Sequence, residues 1–179
     1  MDKVFEVFLE GQQAEVDAFC KTSDRLTSMP HSYSEGGAPT SYIFRLQCRS
    51  PVRVKGVVQI KDRAHLIAFS MPDDYLRIPH DPGHILCLLE PSNIFHPNVM
   101  GPMICIGDIA PAASITDILV RVFEVLTCQR ITMREADAFN HAACEWARHA
   151  DLPLEEDSLI ATKAKPSREF SFQAMTKET

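Results

Sequence analysis

Ser41-Tyr-Ile-Phe-Arg-Leu-Gln-Cys-Arg49, Val54-Lys-Gly-Val-Val-Gln-Ile60 and Ala64-His-Leu-Ile-Ala-Phe-Ser70 follow one another with only short polar breaks, such as Lys61-Asp-Arg63. Each stretch alternates apolar with polar residues or is rich in β-branched ones, the pattern of a pleated strand with a buried face. A fourth strand is expected over residues 84–89. Parallel neighbours would need crossovers of about a dozen residues or more, so these short links predict an antiparallel meander.

The period changes on both sides of the strands. Upstream, Val16, Phe19, Cys20, Ser23 and Leu26 share one face at three-and-four spacing, which predicts an amphipathic helix over about residues 12–27, closed by Pro30. The Ser/Gly/Pro-rich residues 31–39 then read as a loop. Downstream, Ile115, Ile118, Leu119, Val122 and Leu126 keep helical spacing behind a capping-box start at Ser114 and Asp117. Thr132 and Glu135 repeat that signature ahead of a second apolar stripe, Ala136, Phe139, Ala143, Trp146, Ala147 and Ala150, with Asp137, His141 and Arg148 nearer the polar side. Helix, strands, irregular connection, helices: this order predicts an α+β two-layer domain over residues 1–150. Residues 151–179, with Pro153, Pro166 and few apolar side chains, read as a C-terminal tail that hugs the surface or is partly disordered.

Composition bounds the function. A chain of 179 residues with 45% hydrophobic and 23% charged residues has the balance of one folded domain. A net charge of −6 lacks the basic footprint that nucleic acid requires. No apolar run approaches the roughly 20 residues of a membrane span, and the N-terminus carries acids where a secretory signal would be apolar. A cytoplasmic location is therefore expected, with the six cysteines present mostly as free thiols. There is no Gly-rich phosphate loop and no nucleophile-elbow serine, so neither ATP use by the chain itself nor any cofactor is expected. His80, His84 and Cys87 do not make a zinc site: strand alternation would put His84 and Cys87 on opposite faces, and a four-ligand set is missing. His141 and Cys144 at helical spacing read as a polar-face histidine over a buried thiol.

The informative stretch is the irregular connection over about residues 90–114, which is too apolar for disorder and too long to be idle. It reads Pro91-Ser-Asn-Ile-Phe-His-Pro-Asn98 and then Val-Met-Gly-Pro-Met-Ile-Cys105-Ile-Gly-Asp108. His96-Pro97-Asn98 after Ile94-Phe95, a cysteine a short loop later within Ile104-Cys105-Ile106, and Met71-Pro-Asp-Asp-Tyr75 followed by Pro79 and Pro82 together resemble the ubiquitin-conjugating enzyme family. The resemblance spans about residues 42–150. It implies a fold of N-terminal helix, four-stranded meander, cysteine loop and C-terminal helices.

The resemblance also implies a transferase. Cys105 would accept the C-terminal carbonyl of a ubiquitin-like protein from an activating enzyme as a thioester and pass it to a target lysine; a cysteine supplies the soft nucleophile and reactive acyl product this needs. Asn98 matches the asparagine that supports the loop or stabilises the oxyanion, His96 with Pro97 the structural support of the catalytic loop, and Asp137 the acid that positions the incoming lysine. Outside the resemblance, Asn98 also fits an Asx turn and Asp137 a solvated helix-start acid. The chain departs from the usual pattern in three places. The His-Pro-Asn to cysteine loop is one residue shorter, Ala110-Pro-Ala-Ala113 replaces a Trp-x-Pro ligase-contacting loop, and Tyr75-Leu-Arg-Ile78 replaces the other loop's Pro-Phe portion. These features, with Phe123-Glu-Val-Leu126, look more like bacterial ubiquitin-conjugating-like proteins of antiphage conjugation systems. An inert adaptor of the same fold is the alternative; such variants usually lack the cysteine. A thiol hydrolase would need an ordered Cys-His pair, which the sequence does not display.

Overall fold

A computed structural model describes residues 2–155 and 157–159. Helix α1 (Lys3–Thr22) leads into a four-stranded antiparallel sheet ordered β1-β2-β3-β4: β1 (Leu26–Tyr33), β2 (Pro39–Val54), β3 (Val57–Ser70) and β4 (Leu86–Glu90). A short helix α2 (Pro82–Ile85) precedes β4, and a minimal hairpin of β5 (Val99–Met100) and β6 (Met103–Ile104) follows it. Helix α3 (Ile115–Leu126), a single 3₁₀ turn at Glu135–Asp137 and α4 (His141–Ala147) complete the chain. The α+β class, N-terminal helix, antiparallel meander and later helices are as expected.

Helix α1 begins earlier and ends earlier than the 12–27 expectation. Asp2 caps it by accepting from the Val4 N–H, and Phe5, Leu9, Gln12 and Val16 form its buried line. Leu26, expected on the helix, is instead the first residue of β1, opposite Leu46. An apolar residue at that position suits either period, so spacing alone could not decide. The expected loop over residues 31–39 is also partly strand. Pro30 lies within β1 where pairing with β2 turns irregular; β1 is an edge strand, the one setting in which a missing N–H is tolerated.

Two of the expected strands are one. Residues 54–60 and 64–70 belong to β2's end and β3, because Lys61, Asp62 and Arg63 pair with Ser50, Arg49 and Cys48 without interruption. Charge there marks the half of β3 that runs out past the core into solvent rather than a break. The real turn is Lys55-Gly56, two residues both at positive φ (50° and 84°), the twist that a two-residue hairpin requires. Alternate residues of β2 from Tyr42 to Val52 point into the core, where α1 and α3 pack, and Ile43, Arg45 and Gln47 face outward. Strand four starts at Leu86, so His84 sits on α2 and the strand-face argument about His84 and Cys87 does not apply. Among the described residues no three His, Cys, Asp or Glu side chains converge as metal ligands, and no helix is long and apolar enough to cross a membrane.

The first helix anchors the third. The Ile115 N–H donates to Gln12 Oε1 (2.8 Å), and Glu15 accepts from the hydroxyls of Ser114 and Thr116, while Ser114 Oγ accepts from the Thr116 N–H as expected of a cap. Two residues of α1 thus meet the orphan donors and positive end of α3. Past the expected boundary at residue 150 the chain still packs. Leu159 is fully buried in the core, Leu154 is buried, and Glu155 pairs with Arg25 and accepts from the Arg49 N–H (2.6 Å). The rest of the expected tail lies outside the described residues.

Inside the β2–β3 ladder sits a polar trio. His65, with no exposed surface, has Nε2 2.9 Å from Ser50 Oγ and Nδ1 3.3 Å from Leu46 O and 3.5 Å from Cys48 Sγ. Burial pushes the imidazole pKa down to about 4 and the Cys48 thiol up, so both are neutral. The unfolded chain, where His65 titrates normally, binds the proton first. Stability is therefore whole above about pH 6.5 and falls by about 1.4 kcal/mol per unit as pH drops from there toward 4. Urea unfolding at pH 7.5 and 5.5 checks this: His65→Gln, compared with its own stability at pH 7.5, should show a shallower loss, and an equal loss in both chains would remove His65 as a cause.

Candidate active site around Cys105

Four segments converge on the cysteine loop. Strand alternation after β6 buries Ile104 and Ile106 at 1% exposure each and leaves Cys105 between them half-buried, facing outward. Gly107, at φ 80°, lets the chain turn away immediately afterwards. Arg130 Nη1 donates to Ile106 O (3.2 Å), and Arg121 Nη1 to Asp108 O (3.2 Å), so α3 and its exit hold the far side.

Asn98 binds the near side. Its carbonyl accepts from the Cys105 N–H (2.8 Å), and its side-chain Nδ2 donates to Cys105 O (3.2 Å) and to Thr132 Oγ1 (2.9 Å). Its Oδ1 accepts from the Thr132 N–H (2.8 Å). Both amide protons are thereby engaged, so in this conformation Asn98 braces the loop and offers no spare donor to an oxyanion. The Thr132 signature is read differently by the fold than by sequence. Its hydroxyl and N–H serve Asn98 instead of capping a helix, the chain makes only the 3₁₀ turn at Glu135–Asp137, and α4 starts later with Asn140 as its cap. Phe139, expected in the apolar stripe, stays 40% exposed.

His96 is wholly buried. Its Nδ1 accepts from the Asn98 N–H (3.0 Å), which puts the ring proton on Nε2, and burial lowers its pKa to about 3. A neutral ring out of reach of solvent is a structural element of the turn. Pro97 contributes its carbonyl, which accepts from the N–H groups of Phe139 (2.9 Å) and Asn140 (3.2 Å). This tether brings the segment carrying Asp137 to the cysteine loop. Asp137 itself is exposed, with its carboxylate 3.6 Å from Arg134 Nε. Cys144 is buried and donates to Thr132 O and Met133 O, steadying the same segment, and His141 is exposed at the start of α4.

Cys105 opens into a small cleft of about 90 Å³ lined also by Asp81, Pro82, Met103, Asp108 and Phe139. Its ionisable lining apart from the thiol is two carboxylates, and no histidine lines it. Comparison with family models, curated proteins and solved structures finds no match. The site must therefore be read on its own geometry. Thr132, Asp81, Asp108 and Phe139 were not legible as site residues; Thr132 carried only a capping signal, and the cleft's carboxylates come from separate loops. The loops over residues 75–78 and 110–113 meet each other. Tyr75 is fully buried and donates to Ala113 O (2.8 Å), while the Ala112 N–H donates to Tyr75 O (3.1 Å).

Native-state alkylation followed by mass spectrometry should modify Cys105, together with half-buried Cys20 and Cys87, long before buried Cys48, Cys128 and Cys144. Asn98→Ala should lower stability by about 1–3 kcal/mol, because the Thr132 N–H loses its partner, and should speed Cys105 labelling. A labelling rate unchanged by that substitution would mean that the loop is held elsewhere.

Proposed function

We propose that this chain is a ubiquitin-conjugating-like transferase. The observation that carries the reading is the presentation of Cys105: a half-exposed thiol between two buried isoleucines, with its backbone N–H and carbonyl both bonded to Asn98 of the His96-Pro97-Asn98 turn. A cysteine kept only for packing would need neither exposure nor such a brace. In the forward step the Cys105 sulfur attacks the thioester carbonyl of a ubiquitin-like protein held by its activating enzyme. The Cys105 thiol gives up its proton to solvent, a new S–C bond forms, the enzyme's S–C bond breaks, and the departing thiolate takes up a proton in exchange. In the transfer step a lysine amine attacks the Cys105 thioester, the C–N bond forms, Cys105 leaves as thiolate, and the ammonium proton passes to solvent.

The acidic lining from Asp81 and Asp108 favours an approaching ammonium. The lack of a histidine in the cleft disfavours a thiol hydrolase, which needs a base beside its sulfur. Asn98 acts as a positioning residue, and Asp137, on the tethered segment, orients the amine. The pathway is a bacterial conjugation system of the antiphage type, operating in the cytoplasm without a cofactor in this chain. An inert adaptor would have no use for an accessible, braced thiol.

Mixing the chain with a candidate activating enzyme, its ubiquitin-like partner and ATP, then running a non-reducing gel, should reveal an adduct that thiols cleave. Cys105→Ala should abolish it, and Cys105→Ser should convert it to a thiol-resistant ester. Asp137→Ala should leave the adduct intact and slow its discharge to lysine. An adduct that persists in Cys105→Ala overturns the assignment.

A further inference from the structure

The β2–β3 hairpin reverses the charge of the molecule. Residues 49–63 hold five cations, Arg49, Arg53, Lys55, Lys61 and Arg63, against the single acid Asp62, whereas the remaining chain carries ten more acids than bases. Lys55, Lys61 and Arg63 make no ion pair among the described residues, and Val54, Val57 and Ile60 stand exposed beside them. The finger is stiff. The Phe95 N–H donates to Pro51 O (2.8 Å), the Arg53 N–H donates to Asn93 O (2.9 Å), and the Arg53 guanidinium lies 5.0 Å over the Phe95 ring.

It also has an open edge. Strand β4 pairs with β3 only from Leu66 to Phe69, and segment 93–95 covers the end of β2, so on the side away from β2 the β3 backbone from Val57 to Asp62 is unpaired among the described residues. Such an edge accepts an added strand through main-chain bonds, and the flanking side chains select which strand. Lys55 and Lys61 repel a basic segment and attract an acidic one, while the exposed valines and isoleucine reward apolar residues at alternate positions.

We propose that the hairpin is a docking site for an extended acidic segment of a partner protein, alternating acidic with apolar residues and added as a strand along β3. A duplex nucleic acid or an anionic membrane fits less well. Either presents negative charge far beyond the finger, and within a Debye length of about 8–10 Å it would meet the acidic remainder of the chain. The site is independent of Cys105 and of the activity proposed for it.

The test uses a fluorescein-labelled peptide alternating glutamate with valine and follows its anisotropy with the full chain. Binding should weaken at least about tenfold in the Lys55→Glu/Lys61→Glu variant and again on raising salt to about 0.5 M. The charge-matched control Lys3→Glu/Lys21→Glu on α1 should change it less than about twofold. Methylating alternate backbone nitrogens of the peptide should also cost about tenfold, since it removes ladder donors while keeping charge. Absence of binding, an equal loss in the α1 control, indifference to N-methylation, or tighter binding to a DNA duplex or phosphatidylserine vesicles at the same salt each overturns the proposal. Unchanged thermal unfolding of both variants keeps a folding defect from being read as a binding one.

Discussion

A single carboxamide holds the functional region together. Asn98 reaches the cysteine strand through two bonds to Cys105 and the segment before α4 through two to Thr132, and its own N–H is spent on His96. The side chain, with two donors and one acceptor oxygen all in use, ties the cysteine strand to the distant Thr132 segment. Aspartate would supply no donor for Cys105 O, and glutamine would place the same groups too far out. The half-exposed thiol follows from this, since a loop flanked by buried Ile104 and Ile106 can show Cys105 to solvent only if its backbone is satisfied locally.

Rigidity around the site is shared among elements that seem unrelated in the chain. Tyr75 stacks with His80 (5.5 Å), meets Phe8 of α1 and Phe69 of β3, and bonds the loop before α3 through Ala113. His80 in turn exchanges backbone bonds with Ile109, just beyond the cleft. The first helix, the central sheet and both loops around the cysteine therefore share one aromatic contact set, and α1 also caps α3. The N-terminal helix is part of the frame of the site.

Much of this was legible from residue spacing. The strand meander and α3 with its Ser114 cap follow from local rules that tertiary contacts reinforce, whereas His96 and Cys105 were singled out only by resemblance. Where reading failed, two local signals competed. Leu26 and Pro30 suited the end of a helix but formed an edge strand, Lys61-Asp62-Arg63 looked like a break but lay in the solvent-exposed half of a long strand, and Thr132 looked like a helix cap but was taken by Asn98. Residues 151–159 looked polar enough to be loose, yet Leu154 and Leu159 are buried and Glu155 clamps Arg25 and Arg49. In each case the deciding partner lay far along the chain, where spacing carries no information.

The buried trio of Ser50, Cys48 and His65 has a consequence for how the chain finds its fold. Two strands of 16 and 14 residues joined by a two-residue turn could slide past each other, because many neighbouring alignments preserve most backbone bonds. A slip of β3 by one residue would turn His65 to the opposite face, strand Ser50 and Cys48 without their imidazole, and bring the charged Asp62 onto the face that carries the core. The trio thus acts as a detent: it adds little to the strength of the correct alignment and makes the adjacent wrong ones expensive.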